Sequence, residues 1–235
     1  DCQRNSRWYS GSGIYRHVWL MVAERVHVGH WGVCVTTPEV SEERAAVKVE
    51  TTLENEKETA QSVTLNAHIV TPEGVVLESV EVALNLEAGG SEVVTQMLQV
   101  ADPQLWSTEA PYLYSLETEV VADGEVADTL STPFGIRTLE FNAEKGFLLN
   151  GEEMKLRGGC VHHDNGVMGA AAYDRSEARK VERLKANGYN AVRCAHNPPS
   201  PAFLDACDRL GMVVIDEAFD CWREGKTPYD YHLVF

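Results

Sequence analysis

Polar side chains capable of directional hydrogen bonding stand at the ends of three predicted strands in the last part of the chain. They are, in chain order, His162, His163 and Asp164, then Arg193, His196 and Asn197, then Asp216 and Glu217. The ends of parallel strands converge on one crevice, so side chains that follow successive strands are expected to meet there. Imidazole and guanidinium groups on rigid strand ends suit the hydroxyl groups of a sugar. The pattern predicts a carbohydrate-binding site.

The second strand end carries the most specific of these signals. Pro198 and Pro199 prevent a helix from continuing directly after the strand, which leaves Arg193 and His196 over its mouth. The alternative is that His196 makes only a structural hydrogen bond. We favour binding because Arg193 projects from the same strand end. At the first strand end, consecutive residues point to opposite faces, so at most one of the two histidines enters the crevice and the other is structural.

Asp216 and Glu217 are not predicted to be a catalytic pair. Cleavage of a glycosidic bond uses two carboxyl groups that face each other about 5 to 9 Å apart. Neighbouring strand residues diverge instead, so we expect one to touch the ligand and the other to anchor a loop or a helix end. Adjacent histidines such as His162 and His163 lack the spacing that puts two metal ligands on one face, so no metal is predicted.

Several aromatic side chains could stack on the faces of a sugar: Trp8, Tyr9, Trp19, Trp31, Trp106 and Trp222. Most are predicted to be core or interface residues, since large aromatic side chains dominate such sites. Trp222 is the best exception because it follows the third strand among loop residues.

The elements that would position these groups alternate between strand and helix from about residue 139 onward. Strands are predicted at 154–161, 190–194 and 212–215. The first helix is predicted to use Asp174 as N-cap in a capping box with Glu177. The second is predicted to begin at Ser200-Pro201 and to end at Gly211. Apolar strands that alternate with helices indicate a parallel sheet, and three strands are too few to close a (β/α)8 barrel.

The chain before residue 139 has a different hydrophobic period. Residues 29–138 alternate with period two between turn signals, which predicts about seven short strands in an antiparallel β-sandwich of immunoglobulin type. Residues 1–28 contain a glycine-punctuated turn and a predicted strand at 15–20. A segment this short cannot bury its own aromatic side chains, so we expect it to be the end of a preceding domain.

Composition excludes several partners. With a net charge of −16, the chain is not expected to bind nucleic acid, which requires clustered Lys and Arg, or an anionic membrane surface. No apolar run approaches the ~20 residues of a membrane-spanning helix. The six cysteines are scattered without a Cys-x-x-Cys pair, which favours buried free thiols. The cytoplasm, the periplasm and the exterior all remain open as compartments.

Several ordered blocks resemble the family 2 glycoside hydrolases, and specifically an internal fragment of a β-galactosidase-like member. Residues 7–16 (RWYSGSGIYR) are similar to the end of the jelly-roll sugar-binding domain of that family. Residues 105–114 (LWSTEAPYLY) resemble late strands of its immunoglobulin-like domain, and residues 134–137 (FGIR) the link into its barrel. Residues 157–163 (RGGCVHH) and 190–198 (NAVRCAHNP) resemble the first two strands of its TIM barrel.

The resemblance implies a retaining exo-glycosidase with two glutamates, an acid/base and a nucleophile, that follow later barrel strands. We therefore expect the chain to end before either, to contain no catalytic residue, and to be inactive alone. By position, His162, Arg193, His196 and Asp216 match residues that surround the terminal sugar. Asn197 departs from the family pattern, which leaves its role open. No cofactor is expected, and residues 219–222 (FDCW) depart from the magnesium-binding Glu-x-His of some relatives.

The region from Asp216 to His232 resembles a β-galactosidase-type branch common in gut bacteria, so hydrolysis of terminal β-galactosides is the favoured expectation. A β-glucuronidase of the same family is the nearest alternative, and a non-catalytic carbohydrate-binding module is another. The oligomeric state is open, a homo-oligomer of the full-length parent included.

Overall fold

The computed structural model describes residues 13–196, 198–218, 223–225 and 228. It divides into two compact units, one formed by residues 20–154 and the other by residues 1–19 together with 155–235. Among the described residues, no helix has the length and apolarity needed to cross a membrane.

The first unit contains the predicted β-sandwich. Its seven long strands are β1 (Val26–Val40), β2 (Arg44–Asn55), β3 (Gln61–Val70), β4 (Val76–Leu86), β5 (Ser91–Ala101), β6 (Tyr114–Ala122) and β7 (Glu125–Phe134). One sheet has the order β1-β2-β5 and the other β4-β3-β6-β7, and every neighbouring pair is antiparallel. The period-two pattern therefore predicted this architecture correctly.

The sandwich is held together by the inward-facing half of each alternating strand. On β3, residues 61, 63, 65, 67 and 69 are buried while the residues between them are not. Leu65, Ile69 and Leu116 are fully buried between the two sheets. Each such side chain contributes roughly 1.5–3 kcal/mol when it leaves water, so the alternation fixes which face of each strand turns inward.

Trp106 closes the end of the sandwich. It is fully buried, its backbone N–H donates to the carbonyl of Ile136 at 2.8 Å, and its backbone carbonyl accepts from Asn150 Nδ2 at 3.0 Å. The guanidinium of Arg137 lies 4.5 Å from the centre of its ring. Trp106 is thus a core residue, as predicted. Three short strands complete the unit: β8 (Leu139–Asn142), β9 (Gly146–Leu149) and β10 (Glu152–Glu153).

The second unit contains a parallel sheet, as the strand–helix alternation predicted. Its elements are β11 (Gly158–Val161), a 3-10 helix (Gly166–Met168), α1 (Asp174–Ala186), β12 (Ala191–Cys194), α2 (Pro201–Leu210) and β13 (Val213–Ile215). The strands pair in parallel in the order β11-β12-β13. Val181, Val192, Phe203 and Met212 form its core with the two buried cysteines, Cys194 and Cys207. The first strand is shorter than the predicted span of 154–161.

Helix α2 begins and ends as predicted. The Ser200 hydroxyl accepts from the N–H of Phe203, proline occupies the first turn, and Gly211 adopts a left-handed φ of 74°. The predicted capping box of α1 is wrong. Tyr173 is the N-cap and Asp174 lies inside the helix, where Glu177 is buried. Glu177 instead accepts from Asn165 Nδ2 at 2.8 Å, a partner that its burial requires.

The strand predicted at residues 15–20 is also absent, since residues 13–24 form neither strand nor helix. The backbone there bonds to the α/β part of its own unit instead, where the N–H of Ala172 donates to the carbonyl of Tyr15 at 3.3 Å.

Two adjacent glycines on β11 offer a matched test of the sheet. A Cβ on Gly158 would lie 1.9 Å from the carbonyl oxygen of Ala191, whereas the nearest atom to a Cβ on Gly159 is Tyr189 Cε1 at 3.9 Å. We expect Gly158→Ala to lower the free energy of unfolding by about 3 kcal/mol, because the backbone of β12 must move. Gly159→Ala should change it little. Urea unfolding followed by circular dichroism measures both, and equal stability of the two variants would contradict the close approach.

Candidate functional site

Three loops at one edge of the parallel sheet carry the predicted site. In the sheet, Val161 lies opposite Cys194, and Arg193 lies opposite Ile215, so the carboxyl ends of β11, β12 and β13 are nearly level. Residues that follow these strands therefore emerge on the same side, which is the arrangement in which a parallel α/β sheet assembles a ligand site.

The first two loops bring His162 and His196 together. Their ring centres are 5.5 Å apart, with an angle of 33° between the ring planes. His163 turns away and lies against Tyr15, with ring centres 5.4 Å apart. The two consecutive histidines thus occupy different surroundings, as expected for neighbours at a strand end.

Glu217 connects the second and third loops. Its Oε1 accepts from Arg193 Nε in an ion pair, and its Oε2 accepts from the backbone N–H of His196 at 2.7 Å. The Nδ1 of His196 lies 3.8 Å from the same Oε2. Arg193 also donates through Nη1 to Cys160 Sγ at 3.3 Å, across the β11–β12 pair. One carboxylate therefore orients both Arg193 and His196.

The same contacts set the charge states of the pair. The backbone N–H of His196 and then the Arg193 guanidinium lower the pKa of the Glu217 carboxyl below its usual range. The hydrogen bond that Arg193 donates to Glu217 raises the pKa of Arg193 in turn. Both groups are charged near neutral pH, so the Arg193 cation is already compensated before any ligand arrives.

His196 has a left-handed backbone with φ of 77°. A residue with a Cβ pays roughly 1–2 kcal/mol for this conformation, so surrounding contacts must hold it. The bond from its N–H to Glu217 is one such contact. In this conformation the His196 ring lies beside that of His162.

Two protein-family models match this chain, one over most of the β-sandwich and one over most of the α/β part. The model for glycosyl hydrolases family 2 matches residues 29–137, and the model for the TIM barrel domain of the same family matches residues 141–221.

The chain belongs to glycosyl hydrolase family 2.

The family 2 relatives include proteins with named activities. The chain is 48% identical over 233 residues to the β-galactosidase BoGH2A of Bacteroides ovatus, which covers 99% of this chain and 27% of that protein. It is 34% identical to a putative β-glucuronidase of Formosa agariphila, over 97% of this chain and 21% of that protein. A solved family 2 member from Bacteroides cellulosilyticus, 48% identical, superimposes with a TM-score of 0.92 over 98% of this chain and 30% of its own. The chain spans about a quarter of the curated relatives it matches.

Within this family 2 site, the four predicted sugar contacts are not equally placed. His162, Arg193 and His196 are linked through ring contact and through Glu217. Asp216 is exposed at the end of β13. Burial first, and then the charge of Asp216, raise the pKa of the Cys194 thiol to about 12. The sequence signal foresaw that one of the two acids anchors a loop, but it did not identify Glu217 as that acid.

A buried polar group behind the site was missed from the sequence. Glu177 accepts from Asn165 Nδ2 at 2.8 Å, from Ser200 Oγ at 3.2 Å and from Lys180 Nζ at 3.2 Å. Lys180 also donates to the carbonyl of His162 at 3.3 Å. The network ties both helices to the loop after β11. The available signal was Glu177 itself, an acid at a position that the helical period turns inward.

The remaining aromatic and cysteine predictions have mixed outcomes. Trp19 and Trp31 are exposed, whereas Trp8, Tyr9 and Trp222 lie outside the described residues, as do Asn197 and residues 219–222. Cys194 and Cys207 are buried free thiols, as expected. Cys34 and Cys160 are free but exposed, so burial was wrongly predicted for them.

One group in the sandwich could offer ligand atoms to a cation. Single atoms of His27, Glu54 and Glu56 lie within 4.8 Å of one another. His27 Nε2 and Glu54 Oε2 are 3.6 Å apart. The cluster belongs to the compact unit formed by residues 20–154, whereas His162, Arg193 and His196 belong to the other.

Substitution of Glu217 tests the link between the loops. We expect Glu217→Gln to lower the free energy of unfolding at pH 7 by about 1 kcal/mol, because a charged acceptor is lost from two donors. A carboxyl whose folded pKa is depressed stabilises above its unfolded pKa of about 4.3, and this contribution disappears as pH falls through the folded value. The difference between the two proteins should therefore shrink below about pH 4.

Urea unfolding between pH 3 and pH 7 measures that difference. Glu182→Gln is the control, since Glu182 pairs with Arg175 on the exposed face of α1 and exposed pairs contribute little. A Glu217 variant as stable as the parent at every pH would contradict the assigned role.

Proposed function

We propose that this chain is the part of a retaining exo-β-galactosidase that holds the terminal sugar of the substrate. The observation that carries the proposal is the group formed by His162, Arg193 and His196 at the mouth of a parallel sheet. The 48% identity to a β-galactosidase over 233 residues supports galactose as the sugar.

The proposed sugar contacts are His162, Arg193, His196 and Asp216. Imidazole nitrogens donate to or accept from hydroxyl groups, the guanidinium donates, and the Asp216 carboxylate accepts. The exposed Asp216 carboxylate and the paired imidazole rings of His162 and His196 would offer a sugar polar and flat surfaces respectively. Such a site binds by the positions of its donors and acceptors rather than by charge.

We further propose that the acid/base and the nucleophile are two glutamates outside these 235 residues. The support is that the chain covers 27% of the β-galactosidase relative and that Glu217, one of the two adjacent acids after β13, is engaged with Arg193 instead. The proposed organisation is the end of a jelly-roll domain at 1–28, an immunoglobulin-like domain at 29–138 and the beginning of the barrel at 139–235.

The second candidate is a β-glucuronidase, which is the name of several relatives. A uronic acid needs a cationic partner for its carboxylate. The cation at the end of β12 is Arg193, and Glu217 already neutralises it. This pairing favours a neutral sugar over a uronate. The net charge of −16 likewise favours carbohydrate over nucleic acid or an anionic membrane as the partner.

Activity assays of the full-length parent test the proposal. We expect the parent to hydrolyse nitrophenyl β-galactoside with a kcat/KM at least about tenfold above that for the β-glucuronide, since an uncompensated carboxylate in the site costs more than about 1.4 kcal/mol. The 235-residue chain alone should show no turnover. If the parent prefers the glucuronide, the proposed β-galactosidase activity is wrong and β-glucuronidase takes its place. If the folded parent hydrolyses neither substrate, a non-catalytic binding module is favoured.

Substitution of His196 tests the sugar contacts directly. In the parent, His196→Ala should lower kcat/KM for the galactoside by about tenfold, the effect of one lost hydrogen bond. His68→Ala is the control, because His68 bonds only to Ser79 among the described partners and lies on the outer face of the sandwich. Equal kcat/KM in both variants would remove His196 from the site.

A further inference from the structure

Residues 15–17 lie well before the barrel in sequence, yet each contacts the α/β part of the same compact unit. Tyr15 packs on His163 and accepts from the N–H of Ala172. His17 Nε2 lies 2.8 Å from Asp174 Oδ1 in the first turn of α1. Tyr15 and His17 therefore contact the segment that runs from β11 into the first turn of α1, which contains the loop that carries His162.

Arg16 contacts the loop after β12. Its Nη2 donates to the carbonyl of Pro198 at 2.6 Å, and its Nη1 donates to the carbonyl of Pro199 at 3.2 Å. These two carbonyls belong to the residues just before Ser200, the N-cap of α2. Consecutive prolines supply no N–H groups, so this stretch of loop cannot be fixed by its own backbone donors. A guanidinium provides two parallel donors in a rigid fork, which suits two successive carbonyls.

The loop between β12 and α2 is thus held by contacts near both of its ends. Glu217 accepts the backbone N–H of His196 on one side, and Arg16 donates to Pro198 and Pro199 on the other. His196 needs such support because its backbone is left-handed. Arg16 and His162 also line the same small cleft, together with His163 and Lys180.

We infer that Arg16 is a positioning residue for the terminal-sugar site, acting through the carbonyls of Pro198 and Pro199 to keep His196 beside His162. This inference rests on the proposed function. It assigns a role in sugar binding to a segment that lies 182 residues away from the loop it holds. Loss of the two bonds releases the loop without removing any group that touches the sugar, so it affects binding through geometry.

The test uses Arg16→Met in the full-length parent, with Arg175→Met as the matched control. Arg175 is also an arginine of the same unit, but it pairs with Glu182 on the exposed face of α1. We expect Arg16→Met to raise KM for nitrophenyl β-galactoside, and Kd for a non-hydrolysed thiogalactoside, by about tenfold, since a misplaced binding group costs affinity on that scale. The kcat should change less than about threefold, because the reacting groups are untouched.

Arg16→Lys keeps the positive charge but replaces the two N–H donors of the guanidinium by a single ammonium group. The KM of this variant should therefore lie between those of the parent and of Arg16→Met. Thermal unfolding of each variant is measured alongside. A purely structural role predicts a lower melting temperature with unchanged KM and Kd, and that result overturns the inference. Should Arg16→Met fail to fold, Arg16→Lys decides alone, and a KM and Kd within twofold of the parent overturn it.

The result is distinguishable from failure of the proposed function. If the unmodified parent hydrolyses neither galactoside nor glucuronide and does not bind the thiogalactoside, the proposed function fails before Arg16 is considered. If the parent is active and the Arg16 variants bind sugar as tightly as it does, only the inference about Arg16 fails.

Discussion

The parallel pairing of β11, β12 and β13 is the constraint on which the site depends. Parallel strands in register end at the same edge of the sheet. Residues that follow two such strands, such as His162 and His196, therefore become neighbours although they are more than thirty positions apart in sequence. The pairing in turn requires close approach at Gly158, where a side chain would meet the carbonyl of Ala191. A small residue at the start of the strand thereby determines the placement of polar residues at its end.

Strand register places residues at one edge of the sheet but does not orient their side chains. Contacts with Glu217 provide that orientation. Its contact with Arg193 is an ion pair whose partners are both partly exposed, so solvent screening keeps its contribution to stability small. Its bond to the N–H of His196 fixes a strained backbone conformation. The pair is therefore better understood through the orientation it imposes than through the energy it contributes.

The sequence predicted the parts of this structure that follow from local pattern and failed where long-range contacts decide. Period-two alternation gave the sandwich, and the Ser200-Pro201 and Gly211 signals gave both ends of α2, because each is a property of neighbouring residues. Glu177 matched a capping box in sequence, but burial between the two helices gave it partners that no local pattern shows. The contact between Arg16 and Pro198 was likewise not predicted, since nothing near Arg16 in the chain indicates it.

The compensation of charge around Arg193 bears on how such a site would distinguish sugars. An unpaired guanidinium would attract any anion. A guanidinium paired with Glu217 still offers its remaining N–H donors, but the positive electrostatic field around it is largely cancelled. Discrimination among neutral sugars, which differ in the direction of single hydroxyl groups, must then come from donors and acceptors held in fixed positions. That requirement explains why a site of a few polar residues is surrounded by so many contacts that touch no ligand. Those at Glu217, Lys180 and Arg16 hold the loops that carry the two histidines.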